Sequence, residues 1–599
     1  MTIFDVLTLI CGLALFLYGM DVMGDALKKS AGRKLKTILG NLTSNKFKAF
    51  LLGLGVTAII QSSSATTVMV VGFVNSGTML LSQAIGVIMG ANVGTAVTAW
   101  ITALNGIEGG ADATAWLNYL KPDAWMPILA LIGICLILFG KKEKHKDIGN
   151  ILMGFAVLMI GMETMSGAVG GLKKDEEFHQ LLTLFKNPIL GILAGTLLTA
   201  IVQSSSASVG ILQALSMTGA ISYGAAMPII MGQNIGTCVT AMISSVSANK
   251  NGKRAAIVHL YFNIIGVALW MTFYYVIGEI LSGNASFDLF DFANNNAINM
   301  WGIAAIHTIF KIFSVILIFP FTRFLEKLAY ITIKGDDKKG DSYTELLDER
   351  LLETPSVAIE RCYTVANQMA HLACDSLCQS IALFDKFDPQ VAQYIRDCED
   401  KVDIYEDELG SYLVKLSSKS MTETDSREAT KLLYMLSEFE RISDHAVNLV
   451  ESVEEITEKN IPFSEEANSQ LNVFYKAVDE IVQMSEDTFV NMDTDKAHMV
   501  EPLEEVIDKL REQIRLGHIV RLQKVECTIE QGFVLSDILT NLERVSDHCS
   551  NIASCIIEMS EHATLDLHGY HSKVTSGNKD YEKLFAQYLE KYTLQPVQK

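Results

Sequence analysis

The hydrophobic pattern divides the chain into two parts of different character. Seven stretches are long and apolar enough to cross a bilayer, covering residues 5 to 23, 79 to 104, 124 to 140, 148 to 170, 221 to 247, 255 to 281 and 300 to 322. Beyond Pro355 apolar residues recur with the period of amphipathic helices to about residue 562, with breaks near 386, 421, 462, 496 and 527. The pattern predicts an all-α protein whose membrane half is followed by six soluble helices.

Two apolar stretches are too short to span a bilayer. Residues 49 to 60 would form about 18 Å of helix against a hydrocarbon core of roughly 30 Å, before Gln61 and three serines interrupt the run. Residues 65 to 74 lead back, and residues 189 to 218 repeat the arrangement. Non-helical backbone at this depth is tolerated only beside protein or a wet cavity. We therefore expect two re-entrant hairpins with their tips near the bilayer centre.

The two hairpins belong to an internal repeat with an offset of 142 residues. The segment Gln61 to Ala65 returns as Gln203 to Ala207, and the pattern G-x-N-x-G-T-x-V-T-A begins at both Gly90 and Gly232. Three full spans separate equivalent points, so the second copy is expected to be inverted relative to the first. The expected membrane domain covers 1–333, with repeat 1 about 1–140, repeat 2 about 148–281 and an extra span at 300–322.

Charge separates the same two halves and suggests an orientation. Of the net charge of −20, residues 1 to 335 carry +6 and the remainder −26. Seven Lys or Arg between residues 28 and 48, and four between 141 and 146, follow the first and third spans. Odd spans therefore end inside, which predicts a multi-pass protein of the cell membrane with its N-terminus outside and its acidic half in the cytoplasm. An acidic domain gives no reason to expect nucleic acid, and ten scattered cysteines do not indicate structural disulfides.

The hairpin tips carry groups that suit an anion together with a hard cation. Serine hydroxyls and the glutamine amide donate and accept hydrogen bonds, and the helix after each break begins with unsatisfied N–H groups that favour an oxyanion. Carbonyls at the end of the preceding half-helix, with hydroxyl oxygens, suit sodium. The alternative for a single serine triplet is a loop or a packing device for close helices. Duplication in register favours the binding site.

With these motifs the chain resembles the type II sodium/phosphate cotransporters, in particular the bacterial branch with a fused PhoU-like domain. The resemblance implies a sodium-coupled symporter of inorganic phosphate, with sodium ions as co-substrate. Its motif assigns the binding centre to Gln61, Ser62, Ser63, Ser64, Gln203, Ser204, Ser205 and Ser206, with Thr66, Thr67 and Ser208 as neighbours. Thr67 has no hydroxyl counterpart at Val209, which leaves the division of ligands between the copies open.

Other polar residues of the membrane half have more than one interpretation. The elements around the two repeated asparagines could supply ligands or let two helices pack closely; their polar members are Asn92, Thr95, Asn234 and Thr237. Asp21 and Glu163 match in the repeat and are interpreted as interfacial carboxylates. His307 and Lys311 share a helix face, and a structural ion pair or hydrogen bond is the expected role.

The soluble half contains a second repeat, which predicts metal binding. Glu440-Arg441-x-Ser443-Asp444-His445-x-x-Asn448 recurs 103 residues later around Glu543 and Asp547. With carboxylates on a facing helix, these acids would form an all-oxygen pocket for a hard divalent or ferric metal; a solvated acidic face is the alternative. The facing candidates are Asp403, Asp407, Asp508 and Glu512. The motif resembles PhoU, which implies metal clusters and phosphate-linked regulation by two similar three-helix bundles.

The expected boundaries complete the prediction. A linker covers 334–354, the PhoU-like helical domain covers 355–565, and a polar tail covers 566–599. Competing functions are a phosphate-responsive sensor with little transport, or transport of another small oxyanion. No Walker A loop, G-x-S-x-G or HExxH motif occurs, so an enzyme is not expected. Expected partners are phosphate and the lipid bilayer, with a second copy of the chain and a phosphate-signalling protein left open.

Overall fold

The structure is a computed structural model that describes residues 3–40, 45–107, 122–174, 182, 184–282, 288–335, 347–561 and 579–594. Regular structure in these residues is helical apart from an isolated bridge between Ser222 and Ala297, which confirms the all-α prediction. The chain divides into two compact units, Met1–Val357 with Lys419–Thr422, and Ala358–Ser418 with Glu423–Lys599.

Short and long helices alternate in the first unit. In chain order they are α1 Ile3–Gly40, α2 Lys46–Ile60, α3 Ser63–Asn75, α4 Leu81–Gly94, α5 Ala96–Ala103, α6 Pro122–Phe139, α7 Glu143–Val169, α8 Pro188–Val202, α9 Ser205–Ser216, α10 Tyr223–Gly236, α11 Cys238–Ser244, α12 Lys250–Ser282, α13 Leu289–Asn295, α14 Met300–Ile318 and α15 Thr322–Thr332.

Six stretches of the described chain are helical, long and apolar enough to cross a membrane: Ile3–Ser30, Leu81–Gly106, Glu143–Leu172, Tyr223–Ser244, Lys250–Ile280 and Met300–Thr332. They coincide with six of the seven predicted spans. The remaining prediction, 124 to 140, falls on α6, whose apolar part Ala124–Phe139 belongs to the shorter helices. The chain is therefore an integral membrane protein by composition and helix length.

Glycines permit a close helix contact in the first unit, between α1 and α7. A Cβ atom on Gly19 would lie 2.3 Å from the backbone nitrogen of Leu158, and one on Gly12 would lie 2.9 Å from the carbonyl oxygen of Gly161. Contacts move towards the start of α7 as α1 advances, so the two helices are antiparallel. Small residues permit this backbone approach. Gly12 and Gly19 are equivalent by the 142-residue offset to Gly154 and Gly161, so equivalent helices pack against each other in opposite directions.

The glycines of the G-x-N-x-G-T elements are also packing residues. A Cβ atom on Gly90 would lie 1.9 Å from the carbonyl oxygen of Phe50, and one on Gly232 would lie 2.0 Å from that of Ile192. These contacts join α2 to α4 and α8 to α10, and the members of each pair run in the same direction. For the glycines, the geometry supports the close-packing interpretation of the motif.

The second unit contains the six expected long helices: α16 Pro355–Ala382, α17 Pro389–Ser417, α18 Glu423–Lys459, α19 Glu465–Asn491, α20 Thr494–Gln523 and α21 Ile529–Glu561. Side-chain caps explain several of the breaks; the hydroxyl of Ser464, for example, accepts the N–H of Ala467 at 3.2 Å. A further helix, α22 Lys579–Lys591, lies within the predicted polar tail. It is held by Lys591, which pairs with Glu480 at 2.6 Å.

The linker differs from the expected solvated segment where it ends. Residues 336–346 lie outside the described part of the chain, but Glu349–Glu353 form a 3-10 helix that packs against α3. Leu351 is fully buried, Asp348 accepts from Asn75 Nδ2 at 2.7 Å, and Arg350 donates to the carbonyl of Ser244 at 2.9 Å. We call residues 348–354 the docked linker segment.

Candidate functional site

Each serine triplet follows a helix that stops abruptly. Gln61 and Gln203 adopt the left-handed conformation, with φ/ψ of 59°/19° and 57°/18°. Their N–H groups donate to the carbonyls of Thr57 and Thr199 at 2.8 and 2.7 Å. Left-handed residues other than glycine are uncommon, so a matching pair marks a deliberate break in both copies.

A new helix starts directly after each break, capped by a serine. The hydroxyl of Ser62 accepts the N–H of Ala65 at 3.2 Å, and that of Ser204 accepts the N–H of Ala207 at the same distance. The preceding N–H groups of the first turn have no acceptor within their own helix. Each break therefore presents free N–H donors, serine hydroxyls and a positive helix end at one point.

Both breaks line one cavity of about 470 Å³. This volume would hold roughly fifteen waters at about 30 Å³ each, enough for an anion and accompanying cations. The structure thus brings together eight of the predicted site residues: Gln61, Ser62, Ser63, Ser64, Gln203, Ser204, Ser205 and Ser206. Helix α1 supplies the rest of the wall, with Leu17, Tyr18, Met20, Asp21, Gly24 and Lys28, and Ile60 completes it.

The two copies hold their glutamines differently. Gln61 is buried, and its amide is fixed because Oε1 accepts from Thr98 at 2.8 Å while Nε2 donates to the carbonyl of Ala58 at 2.5 Å. Gln203 is exposed, and within the described residues its side chain has no hydrogen bond. The first copy is preorganised, whereas the Gln203 amide is available to a ligand.

Asp21 and Lys28 are wall residues that the sequence did not assign to the site. They lie two helical turns apart on α1, and Lys28 also pairs with Asp25 at 3.0 Å. Asp21 was expected to be an interfacial carboxylate, but it lines the cavity, whereas its repeat counterpart Glu163 does not. The match of Asp21 with Glu163 in the repeat was the one signal in the sequence that could have pointed to Asp21. It could not show that Asp21 lines the cavity and Glu163 does not, because that depends on how α1 packs.

The neighbouring hydroxyls Thr66, Thr67 and Ser208 lie behind the wall. The hydroxyl of Thr66 donates to the carbonyl of Ser62 at 3.0 Å, and that of Thr67 to Ser63 at 2.8 Å. Both threonines thus brace the first turn of α3. The hydroxyl of Ser208 is buried without a partner among the described residues.

The two repeated asparagines meet away from this cavity. Nδ2 of Asn92 and Nδ2 of Asn234 both donate to Oδ1 of Asn263 at 2.6 Å, and Asn263 lies on α12 outside the repeat motif. The hydroxyls of Thr95 and Thr237 donate to carbonyls one turn earlier in their own helices. None of these predicted ligands lines the cavity, so their binding role remains a prediction.

One acidic cluster in the second unit has the geometry of a cation site. Carboxylate oxygens of Glu399, Asp403 and Asp444 lie within 4.8 Å of one another. Burial, and then the charges of Asp444 and Asp403, raise the pKa of the nearby Glu440 to about 7. Glu399, which the sequence did not indicate, takes part in the cluster, whereas the predicted Asp407 is exposed and outside it.

The equivalent cluster of the second bundle contains a cation of its own. Arg511 forms an ion pair with Glu543 and lies 3.9 Å from Asp508. Burial, followed by the charges of Glu501 and Asp508, raises the pKa of Glu504 to about 9; the pKa of Asp547 is also raised, chiefly by burial. The predicted Glu512 is exposed. In this cluster the proton on Glu504 and the guanidinium of Arg511 reduce the negative charge that a metal ion would otherwise balance.

Comparison with known families agrees with this architecture. The Na+/Pi-cotransporter family matches residues 15–167 and 170–287, and the PhoU domain matches residues 366–453 and 472–556. The chain belongs to the Na+/Pi-cotransporter family and carries C-terminal PhoU domains. Neither match is a family of enzymes, in agreement with the sequence prediction.

Individual relatives extend this result over the whole chain. A Salmonella typhimurium protein named "Putative inorganic phosphate export protein YjbB" is 23% identical over 567 residues, covering 93% of this chain and 98% of that protein. YqeW of Bacillus subtilis is 32% identical over 259 residues, covering 43% of this chain and 79% of YqeW. Sodium-dependent phosphate transport protein 2A of Mus musculus is 23% identical over 376 residues, covering 43% of this chain and 59% of that protein.

Proposed function

We propose that the protein is a secondary transporter that couples sodium to inorganic phosphate. The observation that carries the proposal is the single cavity lined by both Gln-Ser-Ser-Ser segments. Two helix starts aimed at one space favour an oxyanion, while hydroxyl and carboxylate oxygens favour sodium. Family membership supports phosphate as the substrate.

Phosphate and sodium would use different parts of the cavity. The first-turn N–H groups and hydroxyls of Ser63 and Ser205 bind phosphate, with Lys28 supplying charge. The Asp21 carboxylate and the hydroxyls of Ser62 and Ser204 bind sodium. A bound anion and bound cations then lower the electrostatic cost of binding each other in a low-dielectric site, which predicts that they bind cooperatively.

The two copies are proposed to be inverted repeats with re-entrant hairpins, alternately opening the cavity to either side. Antiparallel packing of the equivalent helices α1 and α7 supports the inversion. It requires α6 to cross the membrane, because α1 and α7 run in opposite directions only if the number of crossings between them is even, namely that of α4 with α5 and that of α6. Glycine contacts also make α6 and α7 antiparallel, with Gly133 beside Gly149 and Met153. Seven spans follow, and the basic residues after the first and third spans favour an outside N-terminus and a cytoplasmic PhoU half.

The direction of net transport depends on the gradients. A secondary carrier is reversible, so we propose that the summed sodium and phosphate gradients decide between uptake and export. YjbB, which matches over its full length, is named for phosphate export, and protein 2A, which matches over a shorter stretch, is named for sodium-dependent phosphate transport. A single coupled cycle is compatible with net transport in either direction.

Flux measurement in proteoliposomes tests the proposal. We expect phosphate uptake to follow an imposed sodium gradient, and Ser63→Ala or Ser205→Ala to reduce it at least about tenfold, since a lost hydrogen bond to a charged group is worth roughly 1.5 to 3 kcal/mol. Ser244→Ala is the matched control, because that hydroxyl only donates to the carbonyl of Ala241 at 3.0 Å in its own helix.

Two outcomes would contradict the assignment. Phosphate flux that ignores the sodium gradient would reject the coupling. A chain that transports nothing, but loses a phosphate-dependent signal in Ser205→Ala, would support the sensor alternative. Arsenate and other oxyanions as competitors test the remaining alternative of a different substrate.

For the PhoU half we propose regulation linked to a hard divalent or ferric metal. The cluster of Glu399, Asp403 and Asp444 suits such an ion, with Glu440 beside it. The equivalent cluster fits less well because Arg511 already pairs with Glu543. We therefore infer that the first cluster binds metal more strongly. From the repeat alone, both clusters were expected to bind metal equally.

Metal analysis of purified variants distinguishes the clusters. Asp444→Asn is expected to lose most of the bound metal, whereas the repeat-matched Asp547→Asn loses less. Exposed Asp407→Asn serves as the control. Equal loss from both cluster variants would contradict the ranking, and undiminished metal in the double variant Glu440→Ala with Glu543→Ala would contradict metal binding itself.

A further inference from the structure

A lysine of the membrane half has no acidic partner among the described residues. Lys311 is 3% exposed on α14. Met300, the first residue of α14, is eleven residues before Lys311, and Ile318, the last, is seven residues after it, so Lys311 lies about 16 Å and about 10 Å along the helix from its two ends. The expected hydrogen bond between His307 and Lys311 is not found among the described residues, and Nδ1 of His307 is buried without a partner.

The helices packed around α14 supply no acid to this lysine. They are α4, α5, α9, α10 and α12. The first three carry no titratable side chain, and Tyr223 is the single one of α10, at its first residue. On α12, His259 interacts electrostatically with Lys311, as His307 does on α14 itself. Glu279 of α12 is exposed and lies about 14 Å along that helix beyond Trp270, whose ring packs on Phe310 beside Lys311.

Three buried polar atoms on α14 or on the neighbouring α12 lack hydrogen-bond partners among the described residues. Nδ1 of His259, Nδ1 of His307 and Oγ of Ser314 are all buried without hydrogen-bond partners in the described chain. Buried polar groups are normally satisfied, so such a group of exceptions calls for an explanation. Each of these atoms can accept a proton or a hydrogen bond from an ammonium group.

We propose that Lys311 is a proton-binding site of the membrane half, an amine that takes up and releases one proton during the transport cycle. Release converts the ammonium to the neutral amine; the electron pair stays on Nζ and the proton passes to water. An unpaired charge inside the membrane is unfavourable, so the neutral form of the Lys311 amine is energetically accessible. The three neighbouring bases, Lys311, His259 and His307, cannot all be charged at once. The inference adds a proton to the ions of the proposed function and depends on that function only for its transport readout.

A pH series of phosphate flux tests the proposal with the wild type and three variants. The substrate's own ionisation affects all of them alike, so the informative quantity is the wild-type rate divided by that of Lys311→Met. We expect this ratio to change by up to about tenfold per pH unit on one limb. The exposed Lys327→Met is the control and should keep the wild-type profile. Lys311→Arg, which cannot release its proton, should lose most of the turnover.

Thermal unfolding provides a readout that does not require transport. A proton that exchanges in the folded protein makes the difference in unfolding temperature between wild type and Lys311→Met vary with pH. A constant difference, together with superimposable flux profiles, would overturn the proposal. So would a Lys311→Arg variant with wild-type rate and profile, because a permanent charge would then suffice. If no protein transports phosphate, the unfolding series still decides.

Discussion

At the scale of single residues, Asp21 provides a test of the proposal that sodium and phosphate share the serine-lined cavity. It is the sole carboxylate among the wall residues of that cavity. A carboxylate is the strongest neutral-pH ligand that a protein offers a hard cation, and its removal should weaken sodium binding more than phosphate binding.

We therefore expect Asp21→Asn to raise the sodium concentration needed for half-maximal phosphate flux by about tenfold or more, since one charge-assisted contact is worth roughly 1.5 to 3 kcal/mol. The phosphate dependence at saturating sodium should change much less. Glu163→Gln, at the equivalent position of the second copy, is the control because it lies outside the wall. Equal effects of the two variants would argue for a general charge effect.

Glu504 permits a residue-scale prediction about stability. Its pKa of about 9 in the folded protein lies above the ordinary value of 4.5, mainly because of burial. The folded state therefore binds the extra proton, and stability is present at low pH and declines as pH rises from about 4.5 towards 9. Glu504→Gln keeps a donor for Asp547 without needing a proton.

In metal-free buffer near pH 8 we expect Glu504→Gln to unfold at a higher temperature than wild type. A gain of at least about 1 kcal/mol corresponds to roughly 2 to 4 °C for a domain of this size. The advantage should shrink in acid, which thermal denaturation at several pH values will reveal. A gain that is independent of pH would indicate a packing effect instead.

At the scale of helices, glycine spacing holds the cavity walls in place. Gly53 and Gly55 of α2 differ sharply in their surroundings. A Cβ atom on Gly53 would lie 2.0 Å from the carbonyl oxygen of Val87, whereas one on Gly55 would have no neighbour within 4 Å. The contact of α2 with α4 thus requires glycine at one position and tolerates alanine at the other.

Gly53→Ala should destabilise the membrane half by at least about 1 to 3 kcal/mol, because overpacking displaces backbone that has no room to move. Gly55→Ala in the same helix should be neutral or slightly stabilising, since alanine favours helix. Thermal unfolding in detergent compares the two. Equal loss of stability would mean that helix propensity, and not the α2 to α4 contact, governs this region.

The sequence predicted those features that depend on local patterns along the chain. The short apolar runs, the breaks at Gln61 and Gln203 and the six soluble helices followed from run length, periodicity and the 142-residue offset. Contacts between distant elements could not be predicted in this way. The approach of α1 that places Asp21 in the cavity, and the pairing of Arg511 with Glu543, depend on tertiary packing.

Helical periodicity also did not determine which acids of α17 face the metal cluster. Asp400, Asp403 and Asp407 share a face at i, i+3 and i+7, but Glu399 and Asp403 share one equally well at i and i+4. The structure uses Glu399 and Asp403. The equivalent pair in the other bundle is Glu504 and Asp508, which confirms that the helix is rotated in the same sense in both.

At the scale of the whole molecule, the docked linker segment joins the hairpin to the PhoU half along the chain. Arg350 donates to the carbonyl of Ser244 and to the hydroxyl of Ser247, both at 2.9 Å, and pairs with Asp348 at 2.6 Å. Asp348 in turn accepts from Asn75, the last residue of α3. Helix α3 begins at the serines of the cavity and contacts the docked linker segment at its other end. Helix α16 of the PhoU half begins directly after that segment, so the segment links the two along the chain.

This connection predicts that metal bound in the PhoU half and sodium or phosphate bound in the cavity influence each other. Coupling of this kind is typically about 5 to 150-fold and must be reciprocal in binding. We expect chelation of the metal to change phosphate affinity, and Arg350→Ala to abolish most of that change, because the guanidinium makes two contacts from the segment to Ser244 and Ser247 and also fixes Asp348 within the segment. The exposed Arg323→Ala is the matched control.

Isothermal titration of phosphate, with and without metal, measures the coupling in each protein. A wild-type affinity that ignores metal would show that the two halves act independently. A metal effect that persists unchanged in Arg350→Ala would place the coupling elsewhere. The intermediate variant Arg350→Lys keeps the charge but loses the forked geometry, so it should retain only part of the coupling if hydrogen bonding, and not charge alone, transmits the signal.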